Sequence, residues 1–263
     1  MSITLKVECS LEIDSLADCL CIAMLRPRSG TAQWLSSESY HFLPSVETTE
    51  YMDQYGNLCQ RFVAPAGRLL IQSAAVVKTD QSIDTPVNLP PTPVEFLPDG
   101  VMQFLLPSRY CPVDKMGERA LQIAGGFIPG SAQVETIRSW IFQNMTYQYG
   151  QSDATTDALD SLNSRTGVCR DFAHIGISLC RSLLIPARMV VGYLHELEPM
   201  DLHAWFEAYI DGRWYTVDAT QASPRGGRVV LGYGRDAADV AFLTSYGQVN
   251  TNDLTIHVTR QDG

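Results

Sequence analysis

Five prolines fall between positions 86 and 98: Pro86, Pro90, Pro91, Pro93 and Pro98. Each fixes its own φ and lacks a backbone N–H, so the stretch can hold neither a sheet ladder nor a helix interior. It is expected to run extended and stiff. Any fold for this chain must be built from one pattern before residues 79–100 and another after them.

The two sides read differently. Before the prolines, residues 3–9 alternate apolar and polar, and residues 17–25 form a mostly apolar run closed by Pro27. Segments 33–43, 48–55, 58–63 and 68–78 follow, with the turn pair Gly56-Asn57 between the fourth and fifth segments. Short strands separated by turn signals predict an antiparallel β-sandwich over residues 1–85. After the prolines the periods mix. Helices are expected over 114–124, over 131–144 with Ser131 as N-cap, over 157–164, and from Cys169 to just before Pro186. Strands are expected over 187–194, 203–210, 213–218 and 254–259. The glycines from 226 to 234 mark a long loop around Val229-Val230-Leu231. The fold class is α+β: a sandwich, then helices packed on an antiparallel sheet over residues 95–263.

The second unit carries the chemistry. In Gly167-Val168-Cys169-Arg170-Asp171 a loop gives way to a largely apolar helix, and Cys169 stands at its first turn. Unpaired N–H groups and the positive end of the helix dipole favour a thiolate there. Helix-start thiols of this kind titrate at roughly 3.5–7.5, against about 8.5 for a free cysteine. Gly167 reads as a place where a substrate backbone approaches. His174 lies five positions further on, about 140° around the helix, and faces away.

Partners stand downstream. The run from His203 to Ile210 meets the run from Arg213 to Asp218 across Asp211-Gly212, a type I′ hairpin pair. Counting outward from the turn sets Asp218 opposite Trp205, and period-2 alternation puts Trp205 and His203 on one face. A diagonal His203–Asp218 contact follows. Thiol, imidazole and carboxylate in this relation perform acyl transfer, with backbone N–H groups at Cys169 receiving the oxyanion. Tyr147 and Gln148, in the loop before the cysteine, are further oxyanion candidates, and Trp205 joins Gly167 as a candidate cleft residue.

These residues carry a resemblance. The run from Gly167 to Ala173, His203-Ala204-Trp205-Phe206-Glu207, and Trp214 with Val217-Asp218-Ala219-Thr220 resemble the core of the transglutaminase-like superfamily. The nearest likeness is to its bacterial, cysteine-protease-like branch, over roughly residues 104–220. The resemblance implies a papain-like core with Cys169 as nucleophile, His203 as base and Asp218 as orienting acid. It extends more weakly to an N-terminal β-domain. Val168-Cys169-Arg170 stands where animal transglutaminases carry Gln-Cys-Trp, which favours hydrolysis of amide bonds over transamidation. Two other readings stay open: a metal-dependent hydrolase using the same three residues, and a peptide-binding module without catalysis.

A net charge of −10 offers no basic excess for nucleic acid or an anionic membrane. A peptide or protein is the expected partner. No cofactor or metal is expected, and oligomeric state is not legible. Seven irregularly spaced cysteines and the lack of a basic–apolar leader after Met1 suit a reducing, cytoplasmic setting.

Overall fold

The computed structural model describes residues 1–261. The N-terminal strands are β1 (Ser2–Ser15), β2 (Cys19–Ala23), β3 (Gln33–Leu43), β4 (Thr48–Met52), β5 (Leu58–Ala64) and β6 (Gly67–Asp80). In β1 every second residue from Ile3 to Ile13 is buried, and β6 alternates in the same way, so each strand gives one face to a core. Two four-stranded antiparallel sheets result, ordered β14-β1-β6-β3 and β13-β2-β5-β4. The expected sandwich is present, with two strands it did not include. β13 (Leu243–Ser245) and β14 (Val249–Gln261) return from the far end of the chain. β14 pairs along β1 from Thr4↔Gln261 to Ser15↔Val249. The unit expected over 95–263 therefore does not keep its last strands. Their apolar positions, Ile256 and Val258, fill the sandwich core instead.

Between the units the proline stretch is anchored, but it is not extended throughout as expected: Asn88 takes a positive φ, and Val94–Phe96 form one turn of 3-10 helix after Pro93. Leu89 offers its carbonyl to Ser131 N–H, and Ser131 Oγ accepts from Leu89 N–H (both 3.0 Å). Ser131 is thus the first residue of its helix, and Gly130 is the N-cap. Ser131's hydroxyl holds the linker instead of capping.

The second unit contains α1 (Asp99–Met102), α2 (Gly117–Ala124), α3 (Ser131–Asn144), α4 (Ala158–Ser164) and α5 (Cys169–Ser182). Two-residue strands β7 (Thr146–Tyr147) and β8 (Thr166–Gly167) pair in parallel. Helix α5 is buried from Asp171 to Arg181 and lies against a sheet ordered β11-β10-β9-β12. These strands are β9 (Ala187–Leu194), β10 (His203–Ile210), β11 (Arg213–Val217) and β12 (Arg228–Gly234). Phe206, Ala208 and Ile210 of β10 share one core with Ile175, Ile177 and Leu179 of α5.

β12 corrects the expected loop. Its free edge is sealed by two side-chain amides of the sandwich. Gln33 donates to Val230 O (2.9 Å) and accepts from Val230 N–H (2.7 Å). Asn57 does the same for Tyr233 (2.7 and 2.8 Å). Each amide stands in for one residue of a neighbouring strand, so the edge cannot template further pairing. Tyr193, Val229 and Leu231 then enter the sandwich core, joining the two units through apolar contact.

Candidate active site

The start of α5 is fixed from two sides. Pairing of β7 with β8 brings Gln148 N–H to Gly167 O (2.9 Å). Val168, the N-cap, has no side chain able to cap. Asp171 supplies the contact from inside the helix, its Oδ2 accepting from Val168 N–H (2.8 Å) and Ser152 Oγ (2.6 Å). That carboxylate fills the space beside Gly167, where an added Cβ would meet Asp171 Cβ at 2.7 Å. The glycine makes room for Asp171, not for a substrate as expected.

Cys169 is the first residue of the helix, where backbone N–H groups have no intrahelical acceptor. It is half-buried, whereas the other six cysteines are buried. Its Sγ lies 4.0 Å from Leu202 O, one residue before His203.

The hairpin has the expected register. Ile210 pairs with Arg213 and Phe206 with Val217, and Asp211 and Gly212 both take positive φ. The ladder ends there, and Asp218 reaches across the mouth. His203 Nε2 lies 2.7 Å from Asp218 Oδ2, and both residues are buried. With Nε2 engaged, Nδ1 is the ring nitrogen left for the thiol. Asp218 Oδ1 accepts from Thr220 N–H (3.0 Å) and Thr220 Oγ1 (2.7 Å), while Arg228 Nη2 donates to Oδ2 (2.8 Å). Burial alone would pull the His203 pKa down. The hydrogen bond and charge of Asp218, with a smaller contribution from Cys169, overcome it and carry the pKa to about 9. Burial would raise Asp218, but His203, Arg228 and Thr220 hold it well below the usual carboxylate range.

Of the oxyanion candidates, Tyr147 comes close. Burial, the negative potential of Cys169, and hydrogen bonds with Tyr149 and Cys169 push its phenol above the ordinary range. Its ring rests on Phe172 of α5, 5.8 Å between centroids. Gln148 is not brought in. It follows the end of β7, its side chain is exposed, and its backbone N–H is taken by Gly167. Trp205 is 2% exposed, packed between the His203 ring (5.9 Å) and the Arg228 guanidinium (4.8 Å). The groove it borders, lined also by Arg188, Glu207, Trp214 and Tyr233, includes neither Cys169 nor His203. It backs the site instead of walling a cleft at the thiol. His174 faces away as expected; it stacks on Tyr110 and accepts Ala237 N–H (3.1 Å). Arg228 escapes sequence reasoning because its strand reads as a loop. The only signal is an arginine directly before the apolar triplet Val229-Val230-Leu231.

The profile of the Transglutaminase-like superfamily matches residues 119–219, a span holding Cys169, His203 and Asp218. A solved structure from Cytophaga hutchinsonii, described as a candidate cysteine protease, superposes with a TM-score of 0.95 at 33% identity. The match covers 100% of this chain and 92% of that one. An uncharacterized protein of Mycobacterium leprae is 29% identical over 254 residues, 90% of this chain and 91% of the relative. An uncharacterized Mycobacterium tuberculosis protein is 32% identical over 154 residues, 52% of this chain and 49% of that protein. The helix-start thiol, the hairpin that carries histidine and aspartate, and a relative matched over nearly its whole length agree: the chain belongs to the transglutaminase-like superfamily.

Proposed function

We propose that the protein is a thiol-dependent acyl-transfer enzyme that cleaves amide bonds through Cys169, His203 and Asp218. The observation that carries this reading is the buried His203–Asp218 pair set behind a half-buried thiol at a helix start. His203 Nδ1 takes the proton of Cys169 Sγ, and Asp218 stabilises the imidazolium so formed. The thiolate attacks the amide carbonyl carbon, and the C=O π electrons move to oxygen. Cys169 N–H receives that oxyanion, with Tyr147 O–H as a second donor. The tetrahedral adduct collapses, the C–N bond breaks, and His203 returns its proton to the leaving amine. A thioester on Cys169 remains. Water, deprotonated by the now neutral His203, attacks it, and the free acid and the thiol are released.

Peptide amides or glutamine side chains fit this chemistry, with water favoured over an amine as the second nucleophile. The description of the Cytophaga relative supports the protease side of the reading. A reducing compartment suits a nucleophilic thiol accompanied by six unpaired cysteines. Among the described residues no helix is long and apolar enough to cross a membrane. A metal-dependent reading is disfavoured by the donors themselves. Asp218 Oδ2 is already shared by His203 and Arg228, so a cation bound there would face a guanidinium 2.8 Å from its ligand oxygen.

The test is a screen of peptide amides with and without an added amine, read by mass. Acid products support hydrolysis, and amine adducts support transamidation. No turnover, with Cys169 labelled by a thiol reagent no faster than the buried cysteines, would remove the reading.

A further inference from the structure

We propose that Arg228 is a positioning residue of this site, which fixes Asp218 from behind and limits how tightly His203 holds its proton. The inference rests on the acyl-transfer reading above. Its basis is the sharing of one atom: His203 Nε2 and Arg228 Nη2 both approach Asp218 Oδ2, at 2.7 and 2.8 Å. Arg228 is itself locked. Its Nε donates to Arg225 O (2.9 Å), its guanidinium lies over the Trp205 ring, and its own carbonyl accepts from Thr79 Oγ1 of the sandwich (2.8 Å). Arg228 is 6% exposed, so water screens its charge little.

The consequence for His203 has a definite sign. The ionisable groups around the pair are Asp218 beyond β11, Cys169 on α5 and Arg228 on β12, with Arg138 on α3 near enough for Asp218 to act on it. Asp218 and a Cys169 thiolate favour the imidazolium. Arg228 opposes it twice, by like charge and by taking part of the same carboxylate oxygen. Acyl transfer needs both states of the ring: charged beside the thiolate, and neutral to activate water on the thioester. A carboxylate paired with His203 alone would hold the ring charged and slow the second half. Arg228 draws off part of that stabilisation.

Two alkylating reagents read this directly. Iodoacetate is an anion and iodoacetamide is neutral, so the ratio of their rates at Cys169 reports the imidazolium beside it. In the wild type the ratio should fall as His203 deprotonates, with a midpoint near pH 9. The two bonded nitrogens, His203 Nε2 and Arg228 Nη2, are no more than about 5.5 Å apart, given their bonds to one oxygen. At that separation, removing Arg228 should raise the midpoint by about one to two pH units at an effective dielectric of about 20–40. Arg228→Met and Arg228→Gln should both show the rise, and Arg228→Lys should restore the wild-type midpoint. A uniform loss of labelling with an unmoved midpoint is what a merely structural arginine predicts, and it would overturn the proposal. Failure of both neutral variants to fold, judged by circular dichroism, would mark Arg228 as structural and overturn it too. If wild-type Cys169 shows no preferential labelling, the acyl-transfer reading falls first and this inference with it.

Discussion

Asp218→Asn should cost far more than a conservative exchange at a turn. The amide oxygen can keep the Thr220 N–H and O–H bonds at the Oδ1 position. The NH₂ group then occupies the Oδ2 position, where it meets two donors, His203 Nε2 and Arg228 Nη2. His203 must turn neutral and present the Nε2 lone pair, which puts its proton on Nδ1 facing the thiol, the wrong tautomer for a base. Arg228 is left charged, buried and unpaired. The His203 part can be sized from linkage. A histidine whose pKa rises from 6.5 unfolded to about 9 folded contributes about 3 kcal/mol. Because the folded pKa is the higher one, that contribution is full below about pH 6.5 and lost as pH rises through 9. Removing one partner of a buried ion pair costs roughly 3–5 kcal/mol in general, which in a chain this long lowers Tm by roughly 10 °C. The assay is urea unfolding of wild type and variant, followed by tryptophan fluorescence at pH 6 and pH 10. The stability gap should be widest at pH 6 and narrower by about 3 kcal/mol at pH 10, where the Arg228 part persists. A gap of the same size at both pH values would refute a charged His203–Asp218 pair in the fold.

Other outcomes are open to direct measurement. Cys169 should be alkylated at pH 7 well before Cys111 and Cys180, whose thiols burial pushes up to about 12. Peptide-level mass spectrometry checks this, and equal rates would contradict it. Tyr147→Phe should slow release of p-nitrophenol from p-nitrophenyl acetate, up to the roughly 10²-fold that one oxyanion donor supplies. An unchanged rate would take Tyr147 out of the site. Gly167→Ala should lower stability by about 1–3 kcal/mol, since its Cβ displaces the Asp171 carboxylate from the helix start. A wild-type Tm would show that Asp171 can move freely.

The parts of this site legible in sequence are those set by local rules. Asp211-Gly212 admits one tight turn, and that turn fixes the register that brings Asp218 to His203. Thr166 to Asp171 likewise announces a helix start. Long-range terms hide the rest. Arg228 sits in a strand whose edge partners are Gln33 and Asn57, nearly two hundred residues earlier, and no periodicity within 226–234 reveals side chains acting as a neighbouring strand. Ser131 looks like an N-cap until Leu89 claims its hydroxyl. Gly167 looks permissive toward a ligand until Asp171, four positions later, takes the space. The alternation of β14 is visible, but which sheet it joins depends on β1, at the opposite end of the chain.

That last pairing also bears on synthesis. β1 lies between β6 and β14, so one of its edges has no partner until the final strand has left the ribosome. The six N-terminal strands emerge first, yet they must wait with an apolar-faced open edge while about 170 further residues are translated, on the order of ten to thirty seconds at common elongation rates. During that interval α5 and its sheet can condense, but the sandwich stays two strands short. Cleavage in the proline stretch would not release a self-sufficient second half, because β14 would depart without the strand it pairs with. The fold is closed like a clasp: β1 and β14 lie side by side in one sheet, and the span that carries Cys169, His203 and Asp218 is the loop they fasten.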